Sequence, residues 1–254
     1  MFKDEMGLVG NAAKSKVKLL ETNFIGYFMA ALLAGIYVGF GVLLIFTIGG
    51  QLAGAAHTKL IMGASFGIAL SLVIMAGAEL FTGNVFVMVS ALLRKDVTGA
   101  QAGKVLAVSY IGNWLGSVLL AILFVGTGLA DGPVGEFMAK GSAGKMNAGF
   151  SELFVRGFLC NTLVCLAVWC GIKLKSESGK LIMIFWCLFA FITTGFEHSI
   201  ANMSLLTVSL FKPFEAGVSL DGYFYNILTV SVGNILGAVV LLALPYYFIT
   251  KDKG

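Results

Sequence analysis

Glu197 and His198 stand side by side inside an apolar stretch that begins near Leu181. A charged side chain at the middle of a bilayer costs roughly 3 kcal/mol on insertion scales, so two adjacent ionisable groups persist only where a pathway, a cavity or fixed partners receive them. An imidazole there can hold a hydrogen bond or a proton. A carboxylate lining an anion path would repel the anion, so Glu197 reads as buried and paired. Backbone N–H groups at the start of a half-helix, where the dipole favours negative charge, are its candidate partners. His198 taken alone reads as a core residue; its surroundings change that reading.

The surroundings are duplicated. Gly195-Phe-Glu-His-Ser-Ile-Ala-Asn202 and Gly77-Ala-Glu-Leu-Phe-Thr-Gly-Asn84 share one spacing: Gly, one residue, Glu, four residues, Asn. Each is followed by a second echo, Gly112-Asn-Trp-Leu-Gly116 and Gly233-Asn-Ile-Leu-Gly237. A matched pair of interrupted apolar segments marks the binding site of many transporters. Breaks are expected at residues 79–84 and 197–202, where only a cavity or protein can satisfy the freed backbone groups. His198 in one of two matched breaks reads as a pore residue. Thr82 can bond an anion or His198, or merely cap a half-helix. Asn84 and Asn202 most simply cap the broken backbone. Asn161, alone in mid-span, is expected to turn towards the pore.

The elements that must position these residues are transmembrane helices. Hydrophobic residues make up 58% of the 254-residue chain and charged ones 12%, and the mean hydropathy is +0.94, which places it among polytopic membrane proteins. The expected fold is all-α, with six spans near 24–48, 60–93, 105–125, 150–172, 181–211 and 223–249, spans 2 and 5 being interrupted. Residues 1–22 read as an amphipathic segment on the membrane surface, its Lys14 and Lys16 alternating with apolar residues and poised to gate the mouth. The charged start does not read as a cleavable signal. Residues 23–250 form one transmembrane domain with halves at 23–126 and 148–250, and 251–254 is a tail. Three spans per half give an inverted 3+3 repeat. Twelve Lys and Arg fall on the side of the termini and four in the loops opposite, which predicts both termini in the cytoplasm and a chain in the cytoplasmic membrane. The four cysteines lie in apolar segments without metal-ligand spacing; no disulfide, metal, cofactor or nucleic-acid partner is expected. A membrane enzyme is disfavoured for the same reason. The alternative is an aquaporin-like channel for neutral small solutes, although the Asn-Pro-Ala motif is absent.

Glu79-Leu-Phe-Thr-Gly-Asn84, Gly195-Phe-Glu-His-Ser-Ile-Ala-Asn-Met203 and Cys160-Asn-Thr-Leu-Val-Cys-Leu-Ala-Val-Trp169 together resemble signatures of the formate/nitrite transporter family, and the similarity covers nearly the whole chain. The resemblance implies an aquaporin-like fold and a homopentamer in the lipid bilayer with one pore per protomer. It also implies small monovalent anions as substrates: formate, nitrite, lactate or hydrosulfide, with protons as a companion. Thr82-Gly-Asn84 looks more like the hydrosulfide branch than the formate branch. By resemblance His198 is the pore histidine, with Glu197 before it and Asn202 after it. Thr82 is then the mobile-loop threonine, Asn161 the span-4 asparagine and Lys145 the lysine of the outer mouth, which would concentrate anions. Leu80, Phe81 and Phe196 are expected as hydrophobic constrictions, and Glu79 as a structural acid.

Overall fold

The computed structural model describes residues 2–251; Met1 and positions 252–254 of the expected tail lie outside the described residues. The described residues form helices and no strands. Helix α1 (Lys3–Thr22) lies ahead of α2 (Phe24–Gln51). Three short helical pieces follow: α3 (Thr58–Ser65), α4 (Gly67–Ser71) and a π-helical turn (Leu72–Gly77). Then come α5 (Phe81–Leu93), α6 (Gly99–Gly126), α7 (Pro133–Met146), α8 (Phe150–Lys173), α9 (Glu177–Thr194) and α10 (Ser199–Phe211). Helix α11 (Leu220–Ala238) continues through a π-helical turn (Val239–Ala243) into α12 (Leu244–Thr250). Six of these stretches are long and apolar enough to cross a membrane, while α5 and α10 are apolar but only half that reach.

The two halves repeat element by element. The α2–α6 packing of the first half recurs as α8–α11 in the second. Its cause is the Gly-Asn-x-x-Gly twin. A methyl group at Gly116 would strike the Leu32 carbonyl oxygen, and one at Gly237 the Phe158 carbonyl oxygen. Only glycine lets these backbones touch, the usual device for helix association where lipid removes the hydrophobic drive. With three crossings per half, the second half enters from the opposite side.

One expectation needs correction. The interruptions are shorter and earlier than the sequence suggests: the chain is non-helical only at residues 78–80 and 195–198, and Thr82, Asn84 and Asn202 already lie in the first turns of α5 and α10. The connection between the halves carries α7, the counterpart of α1. Its mixed composition hides this from hydropathy. A glycine at Gly132 with φ +71° and Pro133 in the first turn start the helix.

Helix α1 starts at Lys3 and turns one apolar face into the protein. Its Met6, Val9, Ala13, Val17 and Leu20 are buried. Polar contacts add to this. Lys14 Nζ meets Asp96 Oδ1 at 2.8 Å, and Phe2 packs edge-on against Trp169 and Tyr246 from the other half.

Candidate functional site

Each break begins with a glycine in the left-handed region, Gly77 at φ +84° and Gly195 at φ +86°, two residues before its glutamate. An L side chain is strained there, which fixes glycine at both positions. The chain then runs extended, and the glutamate N–H bonds back to the preceding long helix: Glu79 N to Ala30 O at 3.1 Å, Glu197 N to Arg156 O at 3.3 Å. The freed groups are taken up by the asparagines of the Gly-Asn-x-x-Gly segments. Asn113 Oδ1 accepts from Phe81 N (2.9 Å), while its amide donates to Ala31 O and Glu79 O (2.7 and 2.9 Å). Asn234 Oδ1 accepts from Ser199 N (2.9 Å), and its amide donates to Gly157 O and Glu197 O (2.7 and 3.0 Å). Both side chains are fully buried. They satisfy backbone groups that would otherwise cost about 1–3 kcal/mol each.

The two carboxylates are paired with lysines from the two short amphipathic helices. Lys16 Nζ of α1 reaches both Glu79 oxygens at 2.7–2.8 Å, and Lys145 Nζ of α7 reaches both Glu197 oxygens at 2.7 Å. Glu79 also accepts from Tyr27 Oη (3.1 Å) and Asn84 Nδ2 (2.9 Å). Glu197 has one further donor, Asn202 Nδ2 at 2.7 Å, whose amide also bonds Asn226 Oδ1.

The breaks meet at one contact. Thr82 Oγ1 lies 3.0 Å from His198 Nε2, and both residues are buried. His198 is the N-cap of α10, and its Nδ1 accepts from Ala201 N at 3.2 Å. A nitrogen that accepts carries no proton, so the cap places the ring proton on Nε2, which donates to Thr82. The Thr82 hydroxyl then has its own proton free to donate.

Three cavities adjoin one another through shared lining residues, and His198 lines two of them. One of about 710 Å³ opens beside α7 and is lined by Lys145, Glu197 and Asn202. One of about 430 Å³ opens beside α1 and is lined by Lys16, Glu79 and Asn84. Between them sits a chamber of about 10 Å³, room for about one water, in which His198 is the one polar lining side chain. The α7-side cavity and the chamber share Phe66, Phe191 and His198; the chamber and the α1-side cavity share Leu70 and Leu80. The Phe66 and Phe191 rings meet edge to face at 5.5 Å, and Phe191 stacks beside His198. The result is two vestibules, each holding a lysine–glutamate pair, separated by two apolar necks with one imidazole between them.

Comparison with known proteins decides the family. Residues 5–248 match the profile described as Formate/nitrite transporter. The chain belongs to the formate/nitrite transporter family. It is 39% identical to the nitrite transporter NirC of Salmonella typhimurium, over 100% of this chain and 94% of that protein. A solved FNT family ion channel superposes with a TM-score of 0.94 at 38% identity, covering 98% of this chain and 100% of that one. A pentameric formate channel with formate bound superposes with a TM-score of 0.77 at 26% identity, covering 94% of this chain and 98% of that one.

As a formate/nitrite transporter family fold, the structure brings some of the sequence-derived residues together and relocates others. His198 and Leu80 line the chamber; Thr82 bonds His198 from behind and lines none of the three cavities. Phe196 lines only the α7-side cavity. Phe81 lines none of the three cavities and instead packs on Tyr110 at 4.8 Å. The apolar residues that the sequence reading missed are Phe66, Leu70 and Phe191, which no local pattern separates from core. Asn161 does not face the chamber: it is fully buried and donates to the carbonyls of Thr82 and Asn234. Asn84 and Asn202 do not cap backbone but hold the carboxylates, while Asn113 and Asn234 do the capping. The Gly-Asn-x-x-Gly twin carried that signal. Glu197 is held by Lys145 and Asn202 rather than by half-helix N–H groups, and Lys145 is therefore an ion-paired residue rather than a free cation. Lys14 and Lys16 are tied to Asp96 and Glu79 respectively.

Proposed function

We propose that the protein is a homopentameric channel that passes small monovalent weak-acid anions, nitrite and formate foremost, with hydrosulfide as a further substrate, across the cytoplasmic membrane. The reading rests on one observation: a single imidazole, hydrogen-bonded to Thr82, between two apolar necks. A bare anion entering such a neck loses hydration at a cost of several kcal/mol, whereas the neutral acid does not. The nitrite and formate named in the relatives above are both conjugate bases of weak acids, so one proton removes the barrier. With Nδ1 committed to Ala201 N, His198 serves as a hydrogen-bond donor through Thr82. The transferred proton then comes from water in the vestibule, and the hydroxide left behind is reprotonated by the bulk solution on that side. The exclusion of strong-acid anions such as chloride follows, since no proton can neutralise them there. Transport of nitrite, formate, hydrosulfide, chloride and glycerol into proteoliposomes tests the reading, alongside the mass of the detergent-solubilised assembly. Weak-acid flux well above chloride and glycerol in a particle of five chains is expected. Chloride or glycerol passing as fast as nitrite would sink it.

Both termini are placed in the cytoplasm, with α1 as a gate over the inner vestibule and Lys14 and Lys16 as its two fasteners. Burial raises the pKa of Asp96, but hydrogen bonds and ion pairs from Lys14 and Arg94 outweigh this and hold the carboxyl below the usual carboxylate range. A depressed acid contributes stability above its unfolded pKa and loses it as pH falls through the folded one. The Lys14–Asp96 fastener therefore persists throughout pH 5–8, and any pH gating in that window acts elsewhere. Deleting residues 1–18 is expected to raise flux while the assembly keeps its number of chains. Asp96→Asn should raise flux by the same factor at every pH in that window. Flux unchanged by the deletion at every pH rejects the gate.

A further inference from the structure

The two vestibules carry different charge. The α1-side cavity is lined by Lys16 and Glu79, which neutralise each other. The α7-side cavity is lined by Lys59, Lys140, Lys145 and Arg156 against Glu197 as its one carboxylate. Lys145 is consumed by Glu197, whose two oxygens it bonds. Lys59 and Lys140 have no carboxylate partner among the described residues, and both are exposed. Arg156 touches Glu152 at 3.2 Å, but both side chains are largely in solvent, at 45% and 62% exposure, where such a pair is weak. Lys59 Nζ reaches over the backbone at Gly195, the start of the break that carries His198.

We propose that Lys59, Lys140 and Arg156 are the anion-collecting site of the α7-side vestibule and set its half-saturating concentration, a role that Lys145 cannot fill. The inference rests on the transport reading above and adds sidedness to it. A cavity of one charge sign with low-dielectric walls concentrates counter-ions. A passive pore must keep the ratio of maximal rate to half-saturating concentration equal in both directions, because at equal concentrations net flux is zero. Capture on one side therefore lowers both quantities for entry from that side together and leaves first-order permeability symmetric. Entry from the α7 side should saturate at lower anion concentration than entry from the α1 side. The difference is carried by exposed charges, so salt removes it: the Debye length falls from about 10 Å at 0.1 M to about 3 Å at 1 M.

The test uses the full chain in vesicles of each orientation, sorted by which face presents a C-terminal tag, with nitrite and formate as probes and an impermeant salt setting ionic strength. The variants are Lys59→Gln/Lys140→Gln/Arg156→Gln and the charge-keeping Lys59→Arg/Lys140→Arg/Arg156→Lys. The neutral triple should raise the half-saturating concentration from the α7 side about tenfold at 0.1 M, roughly twofold per charge at vestibule distances. It should change little from the α1 side and little at 1 M, and the charge-keeping triple should behave as wild type. Lys59→Gln alone, at an exposed position, should give about a twofold shift of the same sign and guards against misfolding of the triple. An unchanged half-saturating concentration in the neutral triple overturns the inference. So does an equal shift from both sides, or the same loss in the charge-keeping triple. Wild-type vesicles no faster than empty ones would overturn the transport reading and this inference with it.

Discussion

His198→Phe is expected to cut weak-acid flux by about 30-fold or more at every pH between 5 and 8, while the pore stays closed to bulk water. The hydrogen bond that disappears is the one polar contact of the chamber, and a bond to a charged or charging partner is worth about 1.5–3 kcal/mol. The benzyl ring fills the same slot between Phe191 and the α10 terminus, so both necks remain apolar. It also removes the acceptor for Ala201 N, and that loss has to be separated from the loss at Thr82. His198→Asn makes the separation. An asparagine at an N-cap accepts from the same backbone group, but it cannot reach Thr82 as the ring does and cannot titrate. It should assemble with wild-type stability and still lose most weak-acid flux. Thr82→Val should resemble it, because the hydroxyl is the group that hands the hydrogen bond on. Flux assays on the variants over that pH range decide the matter; wild-type transport in His198→Phe would show that the histidine is only packing.

The second large effect concerns stability, and the twin architecture makes it a controlled comparison. Lys145→Met leaves the Glu197 carboxylate, 5% exposed, with Asn202 as its last donor. Removing one partner of a buried pair strands the other charge, at about 3–5 kcal/mol. Lys145 itself is 21% exposed, so water relieves part of this and the lower end of that range applies. Lys16→Met strands Glu79 less severely. That carboxylate is 13% exposed and keeps two donors, Tyr27 and Asn84. The midpoint of thermal unfolding in detergent should therefore fall clearly more for Lys145→Met than for Lys16→Met. Adding Glu197→Gln to Lys145→Met should recover much of the loss, because a neutral amide still accepts from Asn202. Equal losses for the two lysines, or no recovery in the double variant, would show that the pairs do not hold the breaks.

The neutral pair in each vestibule also explains why acids can stand beside an anion route at all. Glu79 and Glu197 are spent on lysines of α1 and α7, so neither presents net charge to the pathway. Their backbone N–H and C=O groups tether the breaks to α2 and α8 and to Asn113 and Asn234. The acids are thus structural on both faces.

Composition and spacing alone determined the membrane class, six crossings, the duplication and the position of the two breaks to within a few residues. Each of these is local: hydropathy over about 20 residues marks a span, and a repeated Gly-x-Glu-x4-Asn pattern marks a duplication wherever it falls. His198 was legible because a polar residue inside an apolar run stands out against it; Leu80 was legible only through the resemblance to the family. The tertiary structure decided everything that depends on which helix faces which. Phe66, Leu70 and Phe191 form the necks, yet in sequence they are three apolar residues among many. Asn113 and Asn234, not Asn84 and Asn202, cap the half-helices, because close α2–α6 and α8–α11 packing carries them to the broken backbone. Helix α7 escaped because its polar composition gives no span signal. The partner of Glu197 escaped with it, since no local pattern says that a lysine 52 residues away will close over a buried carboxylate.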